Sequence, residues 1–163
     1  MSSCPAEPRV TVVVATNRGG RYLGEALESV RAQTLTEWEL VLVDDGAPAA
    51  VAGTLDEAVA GDPRMRVHHQ ANGGLSVARN VGAALGRGEY VSYLDDDDVW
   101  HPDRLRLQVA ALDAAPGALL CYSSAWTMDS EGTRVDVPWL PTGLPRAPYL
   151  RGDVDLPRIV TMT

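Results

Sequence analysis

The chain contains no lysine, and all of its 14 basic residues are arginine. This absence excludes a phosphate-binding loop of the Walker A type, because the lysine of that loop reaches the phosphates. It also excludes catalysis through a lysine Schiff base. If the protein binds phosphate, arginine side chains and backbone amides must do so.

Cysteine and long apolar runs are also scarce. Cys4 and Cys121 have neither the number nor the spacing of a disulfide framework or a metal site. No segment approaches the roughly eighteen apolar residues that cross a bilayer, and no charged N-terminal segment precedes an apolar one. We therefore expect a cytoplasmic protein without a membrane span in this chain, with peripheral attachment to the inner face of the membrane left open.

The balance of charge is acidic, with 22 acidic residues against 14 basic ones and a formal net charge of -8. We expect no nucleic-acid partner, since the phosphate backbone of nucleic acid favours cationic protein surfaces. The 163 residues, 45% of them apolar, suffice for one domain with a proper core.

Apolar segments alternate between strand-like and helix-like patterns along the chain. Strands are predicted at 9–16, 38–43, 66–70, 89–94 and 118–123, and helices at 23–34, 52–60, 75–85 and 102–116. This alternation predicts an α/β fold with a doubly wound, mainly parallel sheet and helices on both faces. We divide the chain into an N-terminal tail (1–8), one domain (9–125) and a proline-rich loop or linker (126–163), which carries a possible strand at 158–162.

The run Asp95–Asp98 directly follows an apolar strand pattern. Adjacent carboxylates repel one another by roughly 1 kcal/mol per pair at about 4 Å in water, so a positive charge is expected among them. A divalent cation with oxygen ligands, Mg²⁺, Mn²⁺ or Ca²⁺, is the simplest compensation. The alternative is a solvated turn that caps the next helix, because aspartate is a good N-cap.

Polar residues recur where the predicted strands end. The first strand ends in Thr16 and Asn17, the second in Asp44 and Asp45, and the fourth in Asp95–Asp98. In open parallel sheets, ligands bind outside the carboxyl ends of the strands. We therefore expect the three polar clusters to surround one crevice.

Arg79 lies early in the predicted helix that follows Gly73 and Gly74. The free backbone amides and the positive dipole end of such a helix favour an anion, and the planar guanidinium can bind two phosphate oxygens. The pattern favours a nucleotide or pyrophosphate contact. The alternative is an ion pair with a neighbouring acid.

Four segments in a fixed order resemble the family 2 glycosyltransferases, which share the GT-A fold of nucleotide-diphospho-sugar transferases. They are VTVVVATNR from Val10, ELVLVDDG from Glu39, GGLSVARN from Gly73 and EYVSYLDDDD from Glu89. The resemblance covers roughly residues 9–125, and four ordered motifs are a far more specific signal than a D-x-D pattern alone.

The resemblance implies a site for Mn²⁺ or Mg²⁺ that is held against the donor's diphosphate. By position, Asp97 would be the main metal ligand, with Asp95 as a second. Asp95 or Asp96 would also lie near the ribose and the metal-bound water. Asp45, with Asp44 beside it, would accept a hydrogen bond from the base of the donor.

Further donor contacts are implied at Thr16, Asn17, Gly74 and Arg79. Thr16 and Asn17 are similar to the family's loop that packs on the nucleotide. The usual Pro-Thr-Tyr-Asn is here Ala-Thr-Asn-Arg from Ala15. The stacking aromatic of the family is therefore missing from this loop.

These expectations together give metal-dependent transfer of a sugar from a nucleotide-diphosphate donor to a hydroxyl acceptor, with inversion. The acceptor would be a saccharide, a lipid carrier or a small molecule. The resemblance places the catalytic base in a C-terminal half, and Asp153 and Asp155 are not assigned to that role. The alternative is a fragment that binds the nucleotide sugar without turnover.

Two other classes fit less well. Signalling receiver domains also place aspartates at strand ends, but they need a lysine. Nucleotidyltransferases carry a glycine-rich loop with basic residues after the first strand. Arg18-Gly19-Gly20-Arg21 resembles that loop only weakly. Trp100 is predicted to pack so that it orients the loop, with direct contact to the sugar as the alternative. His101 is predicted to lie at a helix entry, with a metal ligand as the alternative. His68 and His69 point to opposite faces of one strand and are assigned no chemistry.

Overall fold

A computed structural model of the chain describes residues 7–123, 126–129, 133–138 and 158–160. Its strands are β1 (Val10–Thr16), β2 (Trp38–Asp45), β3 (Met65–Gln70), β4 (Tyr90–Asp95), β5 (Leu120–Cys121), β6 (Trp126–Met128), β7 (Arg134–Pro138) and β8 (Arg158–Val160). Its helices are α1 (Leu23–Arg31), α2 (Ala49–Val59), α3 (Leu75–Leu85) and α4 (Arg104–Asp113). None of the described helices is both long and apolar enough to cross a membrane.

Six strands form one parallel sheet in the order β3-β2-β1-β4-β8-β5. Val12 pairs with Leu40 of β2 on one side and with Ser92 of β4 on the other, so β1 lies between β2 and β4. These are the three strands that end in polar residues. The carboxyl ends of β1, β2 and β4 therefore lie side by side. This arrangement confirms the predicted parallel α/β architecture.

Helices cover both faces of the sheet. Successive side chains of β1 point to opposite faces of the sheet. Val12 and Val14 therefore pack in the larger core with residues of α1, α2 and α4. Val13 faces the other way and packs with Ala78 of α3. α3 approaches the sheet closely, because a Cβ atom on Gly82 would lie 2.4 Å from Val13 Cγ1.

A buried carboxylate holds the opposite end of the sheet together. Glu39 is 1% exposed and accepts hydrogen bonds from Thr11 Oγ1 at 2.9 Å, Arg66 Nη1 at 2.6 Å and the Arg87 backbone N–H at 2.5 Å. Burial alone would raise the pKa of Glu39, but these donors hold it below its ordinary value. The network joins β1, β2 and β3 to the turn between α3 and β4.

Several observed elements depart from the predicted ones. α1 ends at Arg31 rather than at 34, α2 begins at Ala49 rather than at 52, and β5 is limited to Leu120–Cys121. β2 runs two residues past Val43 and includes Asp44 and Asp45, because both residues pair with β3. α4 begins at Arg104 rather than Pro102, after Asp103 as N-cap. The segment after residue 126 is predicted as loop or linker, whereas β6 and β7 form an antiparallel pair there. These strands are only 3 and 5 residues long, which is too short for a clear period-two pattern in the sequence.

Candidate functional site

A cleft of about 320 Å³ lies at the carboxyl ends of β1, β2 and β4. The structure brings most of the sequence-predicted site residues to its wall: Thr16, Asn17, Asp45, Gly74, Asp95, Asp96 and Asp97. Asp44 and Arg79 are not among the lining residues. Their side chains make other contacts.

Asp45 is the last residue of β2 and lines the cleft next to the start of α3. Its Oδ1 accepts hydrogen bonds from Gln70 Nε2 and the Gly73 N–H, and its Oδ2 accepts one from the Gly74 N–H, each at 2.8 Å. The backbone N–H of Gly73 contributes most to holding the pKa of Asp45 below its ordinary value. Asp45 is therefore an ionised carboxylate with a fixed orientation at the cleft.

Asp44 faces the other side of β2, as the pleat of a strand requires for adjacent residues. Its Oδ1 accepts the Ala47 N–H at 2.7 Å, and its Oδ2 lies 2.7 Å from His69 Nδ1. His69 Nε2 lies 3.3 Å from Asp56 of α2, and the hydrogen bond to Asp44 is the main cause of a raised His69 pKa. This cluster ties α2 to the sheet, a role that the sequence did not indicate for His69.

The aspartate run forms a tight turn at the end of β4. The Asp98 N–H donates to the Asp95 carbonyl at 3.2 Å, and Asp96 Oδ2 accepts a hydrogen bond from Thr16 Oγ1 at 2.5 Å. The run does not cap the next helix, because the N-cap of α4 is Asp103. The turn is instead anchored to the end of β1.

The carboxylates of this turn have different partners. Asp95 forms an ion pair with Arg79, whose guanidinium also lies 5.7 Å from the centre of the Tyr93 ring. The structure thus places Arg79 in the ion pair that the sequence left open as an alternative to a phosphate contact. Asp97 is exposed at the cleft and has no hydrogen-bond partner among the described residues.

Within the described residues, no group of three or more acidic, histidine or cysteine side chains comes together as a metal site. Mg²⁺ and similar hard cations are commonly held by one or two carboxylates plus the phosphates of a substrate. Asp97, with Asp95 or Asp96 beside it, fits such a partial oxygen donor set. The described residues by themselves do not form a closed cage of ligands.

Two side chains pack beneath the turn. Trp100 is buried in the main core, as predicted, and the Arg104 guanidinium lies 4.3 Å from the centre of its ring. Burial lowers the pKa of Arg104 to about 10, and the nearby Asp98 opposes that shift. His101 lies before α4 and its Nδ1 accepts the Asp103 N–H at 3.2 Å, in agreement with a helix-entry position.

Several residues in or next to the cleft were given no role from the sequence. Asn72 Nδ2 donates to the Asp45 carbonyl at 2.9 Å, and Gln70 contacts the Asp45 carboxylate because the β2–β3 register pairs the two residues. Arg18 and Leu75 also line the cleft. The Asn-Gly-Gly loop was a signal for Asn72, whereas the position of Gln70 depends on strand register.

Comparison with known proteins places these motifs in a family. The family model described as "Glycosyl transferase family 2" matches residues 11–157. The uncharacterized glycosyltransferase EpsJ of Bacillus subtilis is 40% identical over 91 residues, which cover 56% of this chain and 26% of EpsJ. The chain spans between 15% and 38% of the length of the first curated relatives it matches.

Solved structures share the fold. S. aureus TarS 1-349 in complex with UDP-GlcNAc superposes with a TM-score of 0.64 at 27% identity, over 72% of this chain and 34% of that one. The mannosyltransferase PcManGT from Pyrobaculum calidifontis, in complex with GDP-Man and Mn²⁺, gives a TM-score of 0.65 at 24% identity, over 74% of this chain and 37% of that one. Both neighbours are complexes with a nucleotide sugar, and both match this chain with about a third of their length.

Proposed function

Because this chain belongs to glycosyl transferase family 2, we propose that it binds a nucleotide-diphosphate sugar in the cleft and transfers the sugar to a hydroxyl acceptor, with inversion and with a divalent metal. The metal would be Mn²⁺ or Mg²⁺. The acceptor is a saccharide, a lipid carrier or a small molecule. The observation that carries the proposal is the convergence of Asp45 and the Asp95–Asp97 carboxylates on one cleft at the ends of parallel strands.

The two ends of this cleft suit two parts of the donor. Asp45 is an ionised acceptor with a fixed orientation, which suits an N–H group on the edge of a nucleotide base. Thr16 ends β1, the strand between β2, which carries Asp45, and β4, which leads into the aspartate turn. Asn17 lines the same cleft. A nucleotide with its base at Asp45 would therefore extend its diphosphate toward Asp96 and Asp97.

The aspartate turn would hold the metal. Asp97 would be the main ligand because it has no protein partner in the described part of the chain, and Asp95 would be a second ligand through the oxygen that Arg79 does not engage. When bound, the cation stabilises the negative charge that grows on the departing nucleoside diphosphate. The protein's part is to hold the turn, through Thr16 and Arg79, so that the carboxylates are correctly placed beforehand.

A thermal-shift panel tests the donor and the metal together. UDP, GDP, ADP and dTDP and their sugar conjugates are each added with and without Mn²⁺. We expect at least one nucleoside diphosphate to raise the melting temperature, and to raise it more with Mn²⁺, because a ligand that binds only the folded state stabilises it. No shift with any nucleotide would contradict the proposal.

Donor binding without turnover is the second candidate. It requires only the donor contacts of the cleft, and none of the described residues is assigned as the catalytic base. Measuring the release of nucleoside diphosphate with a range of hydroxyl acceptors distinguishes sugar transfer from donor binding without turnover. Binding together with metal-stimulated release supports transfer, whereas binding without release under any condition supports the second candidate.

A further inference from the structure

Arg18 is the cationic side chain in a cleft wall that otherwise carries four carboxylates. Within the described lining it is the one basic residue, facing the cleft of Asp45, Asp95, Asp96 and Asp97. Its guanidinium is exposed and has no hydrogen bond or ion pair to any described residue. An arginine that is unpaired beside so many acids is available to an incoming anion.

The other two candidate anion sites near the cleft are already used within the protein. The Arg79 guanidinium is engaged by Asp95. The backbone N–H groups of Gly73 and Gly74, at the start of α3, donate to the Asp45 carboxylate. A phosphate at either position would have to displace a carboxylate, whereas Arg18 needs no such exchange.

The backbone that carries Arg18 has a defined position. Thr16 Oγ1 accepts the N–H groups of Gly19 at 3.0 Å and of Arg18 at 3.5 Å while it donates to Asp96. Gly19 has a φ of +57°, and a Cβ atom there would lie 2.7 Å from Val51 Cγ1. The loop is thus tied to the aspartate turn, and Arg18 is held on the same side of the cleft as Asp96.

We propose that Arg18, rather than Arg79, provides the direct cationic contact to the diphosphate of the donor. This inference rests on the proposed function, because it assumes that a nucleoside diphosphate occupies the cleft. A guanidinium presents two parallel N–H donors to two phosphate oxygens. It would also offset part of the repulsion between the diphosphate and the cleft carboxylates.

The test compares Arg18→Gln, Arg18→Lys and Arg79→Gln by calorimetric titration with UDP, GDP, uridine and inorganic pyrophosphate. Arg21→Gln is the matched control, because Arg21 is an exposed arginine of the same loop that packs on Tyr22 and does not line the cleft. We expect Arg18→Gln to lower the affinity for UDP, GDP and pyrophosphate by about tenfold, which is the scale of a charge-assisted hydrogen bond. The affinity for uridine should hardly change. Arg18→Lys should retain part of the affinity.

Three results would overturn the inference. An equal loss for uridine and UDP would assign Arg18 to the base. Affinities of Arg18→Gln equal to those of Arg21→Gln would show no contact, and a larger pyrophosphate loss in Arg79→Gln would assign the contact to Arg79. If the wild-type protein binds none of the nucleotides, the proposed function fails first, and that result is distinct from the three above.

Discussion

Asp45 accepts the backbone N–H of Gly74 at 2.8 Å, so a carboxylate of the protein already occupies the N-terminus of α3. The sequence pattern around Gly73 and Gly74 indicates an anion site at this helix, and the structure places an anion there. That anion is part of the fold rather than a ligand. A phosphate of the proposed donor would therefore have to be bound by other groups of the cleft.

Replacement of Asp97 with alanine should abolish metal-dependent nucleotide binding and leave the fold intact. Asp97 is exposed and has no hydrogen-bond or ion-pair partner among the described residues, so its loss removes little stabilisation. Calorimetric titration with UDP, with and without Mn²⁺, measures the effect, which we expect to exceed about tenfold in affinity with the metal. Glu57→Ala, which removes an exposed carboxylate of α2, is the control. Unchanged affinity with Mn²⁺ would count against the metal assignment.

Replacement of Asp45 with alanine should destabilise the loop before α3 and reduce the discrimination between nucleotide bases. The N–H groups of Gly73 and Gly74 would lose their acceptor, which we expect to cost about 1–3 kcal/mol in the free energy of unfolding. Urea denaturation measures this cost. In the thermal-shift panel, differences between UDP, GDP and ADP should shrink while the response to Mn²⁺ remains. A variant that still discriminates between bases as the wild type does would refute the base contact.

Deprotonation of His69 should weaken the attachment of α2. Because the pKa of His69 is raised in the folded protein, its contribution is fully present below the ordinary value of 6.5 and is lost as the pH rises through the folded value. Titration of the imidazole by NMR should give a midpoint above that of a free histidine. The stability of His69→Gln should vary less over this pH range than that of the wild type. Parallel pH profiles would contradict the role.

The Glu39 network should stabilise the fold without affecting the cleft. Glu39→Gln keeps the volume but removes the charge that Arg66 and Arg87 neutralise, and we expect a loss of roughly 1–3 kcal/mol in unfolding free energy. Because the pKa of Glu39 is lowered on folding, its contribution is present above the unfolded-state value and is lost as the pH falls through the folded one. Urea unfolding at neutral and acid pH checks both points. The affinity for UDP should stay at the wild-type value, and a large change in it would contradict this separation.

Two glycine-to-alanine substitutions in helices should have opposite effects. Gly82→Ala would place a methyl group against Val13, where overpacking costs about 1–3 kcal/mol. Gly53→Ala in α2 meets nothing within 4 Å, so the better helix propensity of alanine should stabilise the protein by about 0.5–1 kcal/mol. Thermal unfolding of both variants tests the close packing of α3 on the sheet. Equal effects would show that α3 has room to move.

Much of the fold was predictable because strands and helices differ in the period of their apolar residues. β1, for example, is a run of β-branched residues, and α3 has the bounds predicted from its pattern. The pairing of β6 with β7 was missed, since short strands beside proline-rich sequence have a weak pattern. Asp153 and Asp155, which were not assigned to catalysis, lie outside the described residues.

The amino-acid sequence alone predicts that polar clusters follow three strands, and the parallel order of these strands brings Thr16, Asp45 and the Asp95–Asp97 segment to one cleft. The partners of these side chains, in contrast, follow from the folded structure. Asp44 and Asp45 are adjacent and chemically identical, yet the pleat of β2 turns one toward His69 and the other toward the cleft. Arg79 is engaged by Asp95 whereas Arg18 is not, because the ion pair depends on where α3 packs on β1 and β2 beside the end of β4.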